Sequence, residues 1–289
     1  MTITILDGGI SRELQRLGAP FRQPEWSALA LIETPDLVGQ VHDEFAAAGA
    51  EVISTNSYAV VPFHLGEERF ASEGAALAAR AGQLARTVAD KRGVKVAGSL
   101  PPVMGSYRPD LFEVNAAKAI LAVLIEGLSP FADIWLAETL STVAEAALIA
   151  ELLKGDARPL WLSFTLKDDG APMLRSGESI ADAAAMAISV GAGALLFNCS
   201  CPEVMDGAVR AAKAALAGSE IAIGVYANGF AAAAEEKDAN VDLQQIRPDL
   251  GPPRYLDWAR QWVASGATMV GGCCGIGVSH IAALSAGLR

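Results

Sequence analysis

Four cysteines carry the most distinctive chemistry in this chain, and they fall in two short stretches. Cys199 and Cys201 stand in "NCSC", while Cys273 and Cys274 are adjacent in "VGGCCGIG". Adjacent cysteines rarely bridge one another, because the bridge would strain the peptide between them. In a reducing compartment, clustered thiolates are soft ligands that suit Zn2+. The spacing is not that of a zinc finger, so these ligands can converge only through the fold. Glycines on both sides of the adjacent pair let the backbone turn sharply enough to aim both side chains one way. Two plainer readings stay open at this point. The cysteines can be small buried apolar residues, or the pair can be a vicinal disulfide.

Other constellations are weaker. "GGCCGIG" puts cysteines where a dinucleotide fingerprint needs its turn, and the chain ends before the acidic ribose partner that should follow. Neither a G-x-S-x-G elbow nor a P-loop occurs. His42, His64 and His280 lack metal-ligand spacing. His42 and His280 lie in predicted helices and read as structural or surface residues, whereas His64, in a loop after the second predicted strand, remains a candidate for the site. Lys167 is the one lysine near a strand end, and Asp168 and Asp169 beside it make it a solvated turn rather than a Schiff-base lysine.

The elements that must position these residues alternate regularly. Strands are predicted at 2–6, 51–55, 94–98, 133–138, 159–165, 194–198, 221–227 and 268–272. Helices are predicted at 36–48, 67–92, 115–129, 141–154, 178–190, 203–217, 254–265 and 277–288. Ser141 and Ser179 are expected N-caps, and Pro202 suits a first helical turn. Repeated Gly-Ala pairs end a helix and lead into the next strand, as in "AAGAEVIS", "VGAGALLF" and "ASGATMVG". Eight strand–helix units with almost continuously apolar strands predict an α/β chain, a parallel eight-stranded (β/α)8 TIM-type barrel forming one domain over 1–289. A doubly wound open sheet is the alternative. The polar stretch 231–253 is too long for a simple βα turn and is expected to pass over the barrel mouth.

Barrel active sites lie at the C-terminal ends of the strands. The residues that fall there are Asp7-Gly8-Gly9, Thr55 to Tyr58, Ser99, Glu138-Thr139, Asn198 to Cys201, Tyr226 to Asn228, and Gly272 to Cys274. All four cysteines are therefore expected on one face of the barrel.

Composition narrows the partners. Hydrophobic residues make up 52% and aromatic residues 6%, so the core must be aliphatic, and a chain of this length can bury it without disulfides. A net charge of −11 disfavours nucleic acid and acidic membrane surfaces. The uncharged run from Ala183 to Pro202 has about the length of a membrane span, but Gly191 and Gly193 break it, and a helix end followed by a buried strand is expected instead. The start, "MTITILDGG", lacks a signal-peptide pattern, which points to the cytoplasm and to reduced thiols. Oligomeric state is not legible.

Taken in order, "DGG" after the first strand, "TNSY" after the second, "ET" after the fourth, "NC" after the sixth and "GGCCG" after the eighth resemble the homocysteine S-methyltransferase family. The resemblance runs from Asp7 to Ile281 and implies a zinc-dependent barrel with one Zn2+ per chain. In it Cys199, Cys273 and Cys274 act through the metal as its ligands. It further implies that Asp7 and Glu138 hold the amino group of homocysteine. Tyr58 and Trp26 border the substrate, with Trp26 as an aromatic wall, and Asn228 lies near the metal's fourth position. Cys201 falls outside the three-cysteine pattern and is expected as a neighbour of the site.

The partners so implied are a small-molecule thiol and a small onium methyl donor. S-methylmethionine or S-adenosylmethionine suits a chain with no room for cobalamin or folate modules, and betaine is less favoured. Departures from the common pattern sit where a donor would bind, and there Tyr107 and Arg108 are either substrate contacts or loop anchors. Another thiol acceptor, or a non-catalytic zinc- or thiol-binding barrel, is the alternative reading.

Overall fold

The computed structural model describes residues 2–230 and 245–289; the 231–244 part of the predicted excursion lies outside the described residues. Eight parallel strands follow one another in the chain: β1 (Thr4–Ile5), β2 (Val52–Ser54), β3 (Lys95–Leu100), β4 (Ile134–Leu140), β5 (Leu160–Phe164), β6 (Ala194–Asn198), β7 (Ala222–Tyr226) and β8 (Met269–Val270). Their lateral order is β1-β8-β7-β6-β5-β4-β3-β2, with every pairing parallel. A bridge between Leu6 and Val52 joins the two ends, so the sheet closes into a (β/α)8 barrel rather than an open sheet.

Helices cover the outside: α1 (Ile10–Arg16), α2 (Ser27–Glu33), α3 (Pro35–Ala47), α4 (Pro62–Leu65), α5 (Glu67–Arg92), α6 (Val114–Leu128), α7 (Val143–Leu152), α8 (Ile180–Ser189), α9 (Pro202–Ala215), α10 (Pro252–Ser265) and α11 (Val278–Leu288). The uncharged run of the sequence divides as expected into the end of α8, then β6, then Pro202 opening α9. No helix among the described residues is long and apolar enough to cross a membrane. Three short helices, α1, α2 and α4, interrupt the first two βα connections and were not predicted.

One cap also differs. Ser179 caps α8 by accepting from the Asp182 amide, but α7 is capped by Thr142, not Ser141. Thr142 accepts from the Glu145 amide at 3.1 Å, and the buried Glu145 carboxylate accepts from the Ser141 and Thr142 amides, closing a capping box one residue further on.

Apolar burial occurs in two layers. Inside the barrel, Leu6, Val52, Leu136, Trp161, Leu196 and Tyr226 fill the space below the mouth. Between sheet and helices lies the larger core, built from residues such as Ile5, Val96, Phe164, Phe197 and Val225 with the inward faces of α3, α5 and α9. Successive side chains of a strand point to opposite faces, which is why each strand feeds both layers and reads as continuously apolar.

Candidate metal and substrate site

The site begins with register. Asn198 of β6 pairs with Tyr226 of β7, and Val225 of β7 pairs with Val270 of β8. The exits of β6 and β8 therefore flank the exit of β7, where Ala227 is small and fully buried. Across this narrow gap the Cys199 amide donates to Tyr226 O at 3.2 Å and the Cys273 amide to Ala227 O at 2.9 Å. The "DGG" exit of β1 closes in from the other side. A Cβ on Gly9 would lie 2.4 Å from Cys273 O, so only glycine lets β1 approach the cysteine turn this closely.

The result is a three-sulfur cluster. The Sγ atoms of Cys199, Cys273 and Cys274 all lie within 4.8 Å of one another, and Cys199 Sγ is 3.9 Å from Cys274 Sγ. All four cysteines are free thiols, so there is no vicinal disulfide. Four tetrahedral ligands at a Zn–S distance of about 2.3 Å would set sulfur pairs about 3.8 Å apart. The Cys199–Cys274 pair already stands at about that separation, and the donor chemistry of the cluster suits a soft metal ion. Hydrogen bonds from Cys199 and Cys273 hold the Cys274 thiol well below its ordinary pKa, so the cluster favours thiolate character at one sulfur. Cys201 is not part of it. Its thiol lies 4.0 Å from Asp168 O, and burial together with the Asp168 charge pushes it up to about 12.

A cavity of about 200 Å³ opens onto the sulfurs. Asp7 and Glu138 both line it, as do Trp26, Tyr58, His64 and Tyr107. Asp7 follows β1 and is fixed by the Ser54 amide at 2.7 Å and the Ser54 hydroxyl at 3.1 Å. Glu138 accepts from the Ser99 hydroxyl and, at 3.4 Å, from the Tyr226 hydroxyl. Neither carboxyl has a cationic partner among these bonds. Burial raises Asp7 to about 7, opposed by Ser54 and reinforced by the charge of Glu138. Glu138 is likewise raised to about 7 by burial, with the Cys199 charge adding to it.

Glu138 faces the mouth because β4 is bulged there. The β4–β5 register shifts between Ala137 and Leu140, and Thr139 adopts φ 60°. Asn198 clasps this bulge. Its Oδ1 accepts from the Thr139 amide at 3.0 Å and from the Ser163 hydroxyl at 2.8 Å, while its Nδ2 donates to Thr139 Oγ1 at 2.8 Å. The next residue, Cys199, has φ 50°. One buried amide thus ties the backbone that carries a carboxylate to the backbone that carries a sulfur. Asn198→Ala leaves the Thr139 amide and Ser163 hydroxyl unpaired in the core, an expected loss of about 2–4 kcal/mol. Chemical denaturation of the purified variant measures it.

Four non-glycine residues have positive φ among the described residues: Trp26, Tyr107, Thr139 and Cys199. All four line this cavity. Strained backbone concentrated in this way marks a functional site.

Residues 4–288 match the family described as homocysteine S-methyltransferase. The chain belongs to that family. It is therefore a methyltransferase, and its fold and family agree with the resemblance carried by the strand-end motifs. Homocysteine S-methyltransferase 1 of Brassica oleracea var. italica is 30% identical over 99% of this chain and 93% of its own length. The selenocysteine Se-methyltransferase of the same plant is 29% identical over 93% of this chain and 84% of its own length. The crystal structure of the homocysteine methyltransferase MmuM from Escherichia coli, metallated form, superposes with a TM-score of 0.81. It is 29% identical, covering 99% of this chain and 96% of that one.

Against the family pattern, the structure separates the remaining expected residues. Trp26 borders the cavity edge-on to Phe21, with ring centroids 5.4 Å apart, and Tyr58 hydrogen-bonds Ser106 Oγ at 2.6 Å. Asn228 follows β7, but its Oδ1 accepts from the Phe230 amide at 3.1 Å and it is not among the residues lining the cavity. His64, expected in a loop, sits in α4 with Nδ1 donating to Pro24 O at 2.9 Å; burial lowers it to about 4, so it is a neutral wall residue. Arg108 turns out of the cavity and forks onto Asp110 at 2.6 and 2.8 Å. Tyr107, its neighbour, turns in and donates to Cys199 Sγ at 3.0 Å.

Motif reading placed Ser99 and Tyr226 at the mouth but missed two further supports, Ser54 and Ser163. Their alternation along apolar strands was the one available signal. Polar residues on the inward face near a strand end have little reason to be there except to hold a site.

Proposed function

We propose that this protein is a zinc-dependent S-methyltransferase that moves a methyl group from a small onium donor to the sulfur of homocysteine, giving methionine. The observation that carries the proposal is one cavity in which three convergent cysteine sulfurs face a buried pair of carboxylates. The sulfurs of Cys199, Cys273 and Cys274 would supply three ligands to a zinc ion, as protein groups do in catalytic zinc sites. With Zn2+ held there, the acceptor thiol would be bound as its thiolate at neutral pH, where a free thiol with a pKa of about 8.5 is only a few per cent ionised.

The protein's own groups supply recognition and alignment. Asp7 and Glu138 are two buried anions with room for one cation, and charge-assisted hydrogen bonds to the acceptor's ammonium would fix the direction of its thiol. Trp26, Phe21 and Tyr58 wall the other side with aromatic faces, which suit a sulfonium or another onium centre. The walls exclude water and hold the donor methyl in line with the acceptor sulfur, where proximity supplies much of the rate. S-methylmethionine or S-adenosylmethionine fits this arrangement as donor. The relative named for selenocysteine supports a second acceptor reading, a selenol in place of the thiol. The free thiols support a cytoplasmic setting.

The test is a mass-spectrometric screen of S-methylmethionine, S-adenosylmethionine and betaine against homocysteine and selenocysteine. Methionine formed from homocysteine and a sulfonium is the expected result. Zinc retained with no transfer across the whole panel would favour the binding-barrel reading.

The carboxylate pair also sets a pH dependence. With folded pKa values near 7, both acids are protonated in much of the empty protein below neutrality, and an ammonium ion binds only to their ionised forms. The acceptor KM is expected to rise as pH falls from 8 to 6 by about tenfold per unit for each proton taken up. The kcat should change less, because bound ammonium keeps the pair ionised. Initial rates at saturating donor give both.

A further inference from the structure

The proposed function leaves one chemical problem unanswered: three protein thiolates stand beside an activated methyl group, and each is itself a nucleophile. Among the described residues, Cys199 is the one of the three whose sulfur accepts a tyrosine hydroxyl. Tyr107 Oη donates to it at 3.0 Å.

The ring that makes this contact is clamped. Tyr107 holds φ 64° in the connection between β3 and α6, a conformation that costs a non-glycine residue free energy. The Arg175 guanidinium lies over its face, 5.1 Å from the centroid. Arg175 is fixed by Asp168 at 2.7 Å, with both side chains nearly buried, and Asp168 accepts from the Cys201 amide at 2.8 Å. The clamp therefore ends two residues from the cysteine that the hydroxyl caps. A cation over the ring draws density from the phenol and makes its hydroxyl a stronger donor.

We propose that Tyr107 caps the Cys199 sulfur so that this thiolate remains a ligand and does not compete with the substrate sulfur for the incoming methyl group. The inference rests on the methyl-transfer reading of the site. In the competing step, the Cys199 lone pair would form a new S–CH3 bond while the donor's sulfonium S–CH3 bond breaks. The bonding pair returns to the donor sulfur, leaving a neutral thioether and an inactive S-methylcysteine. A hydrogen bond to a thiolate lowers its basicity, and alkylation rates fall with basicity. Tyr107 is thus a positioning residue that selects between sulfurs.

The test compares zinc-loaded wild type with Tyr107→Phe after incubation with S-methylmethionine in the absence of acceptor. Peptide mass spectrometry follows methylation at Cys199, with Cys273 and Cys274 as internal references. Loss of one hydrogen bond to a charged sulfur is expected to raise methylation at Cys199 about tenfold while leaving the other two at the wild-type level. Equal methylation at Cys199 in both proteins, or a uniform rise at all three cysteines, would overturn the proposal.

In the Co2+-substituted proteins the sulfur-to-cobalt charge-transfer band should move to lower energy in the variant, and an unmoved band also counts against the cap. This second readout needs no methyl transfer, so it separates the cap from the function it serves. If wild type methylates no thiol from any donor, the methyl-transfer reading fails while the cobalt band still decides the hydrogen bond. Should Tyr107→Phe not fold, Arg175→Met keeps the phenol but removes the cation. It is expected to raise Cys199 methylation in the same direction by a smaller factor, and no change there would be a negative result.

Discussion

Cys274→Ser is expected to lose its zinc during purification and to lower kcat/KM by at least about 10³-fold. The factor has two parts. Without the metal, an acceptor thiol of pKa about 8.5 is only a few per cent ionised at neutral pH, a loss of about thirtyfold. The second part is position. A thiol no longer held by its sulfur loses much of the effective concentration that alignment supplies, which in well-oriented systems reaches about 10⁵ M or more. Cys273→Ser and Cys199→Ser should behave alike if the three sulfurs, which lie within 4.8 Å of one another, hold the metal together as proposed. Cys201→Ser is the control. Its thiol lies against Asp168 outside the cluster, so zinc content and turnover should stay at the wild-type level. Elemental analysis and initial rates on the four variants give the comparison.

Glu138→Gln is expected to raise the KM for homocysteine by about 10- to 100-fold with kcat much less affected, the range for one charge-assisted hydrogen bond. The amide keeps the shape and can still meet Ser99 and Tyr226, so the loss isolates the charge. Asp7→Asn should do the same. A thiol acceptor without an amino group should show no such penalty in either variant, which distinguishes ammonium recognition from general damage.

Stability should move the other way. Each acid is raised from near 4 to about 7 by burial, so folding takes up protons between those values and stability falls as pH rises through that window. Above pH 7 the wild type carries both buried charges, and either amide variant should melt at higher temperature than wild type. Below pH 4, where the unfolded chain is protonated too, the advantage should vanish. A variant that is more stable yet binds its acceptor worse is the signature expected of a site that sacrifices stability for recognition.

How much of this was legible in the sequence depended on range. Apolar runs and Gly-Ala helix ends are local signals, and they placed all eight strands and the main helices. The barrel then put Asp7, Glu138, Cys199 and Cys273-Cys274 on one face without any spacing rule linking them. Features set by tertiary contact were not legible. The short helices α1, α2 and α4 have too few residues to show a 3.6-residue period. The β4 bulge leaves no mark because Glu138-Thr139 looks like an ordinary strand end, and the clasp that holds it comes from Asn198 on β6, two strands away. Tyr107 and Arg108 illustrate the same limit. They are adjacent, and one turns onto Cys199 while the other turns outward to Asp110, a choice fixed by Arg175 far along the chain. Cys201 lies outside the three-sulfur set, as expected, at the N-cap position of α9 with its thiol against Asp168 O.

The measurement that bears most directly on the central claim is X-ray absorption at the zinc edge, before and after homocysteine. Three cysteine sulfurs with one lighter atom are predicted in the free protein, changing to four sulfurs at about 2.3 Å when the acceptor is added. A protein that takes up no zinc, or a three-sulfur shell that saturating homocysteine leaves unchanged, would contradict it.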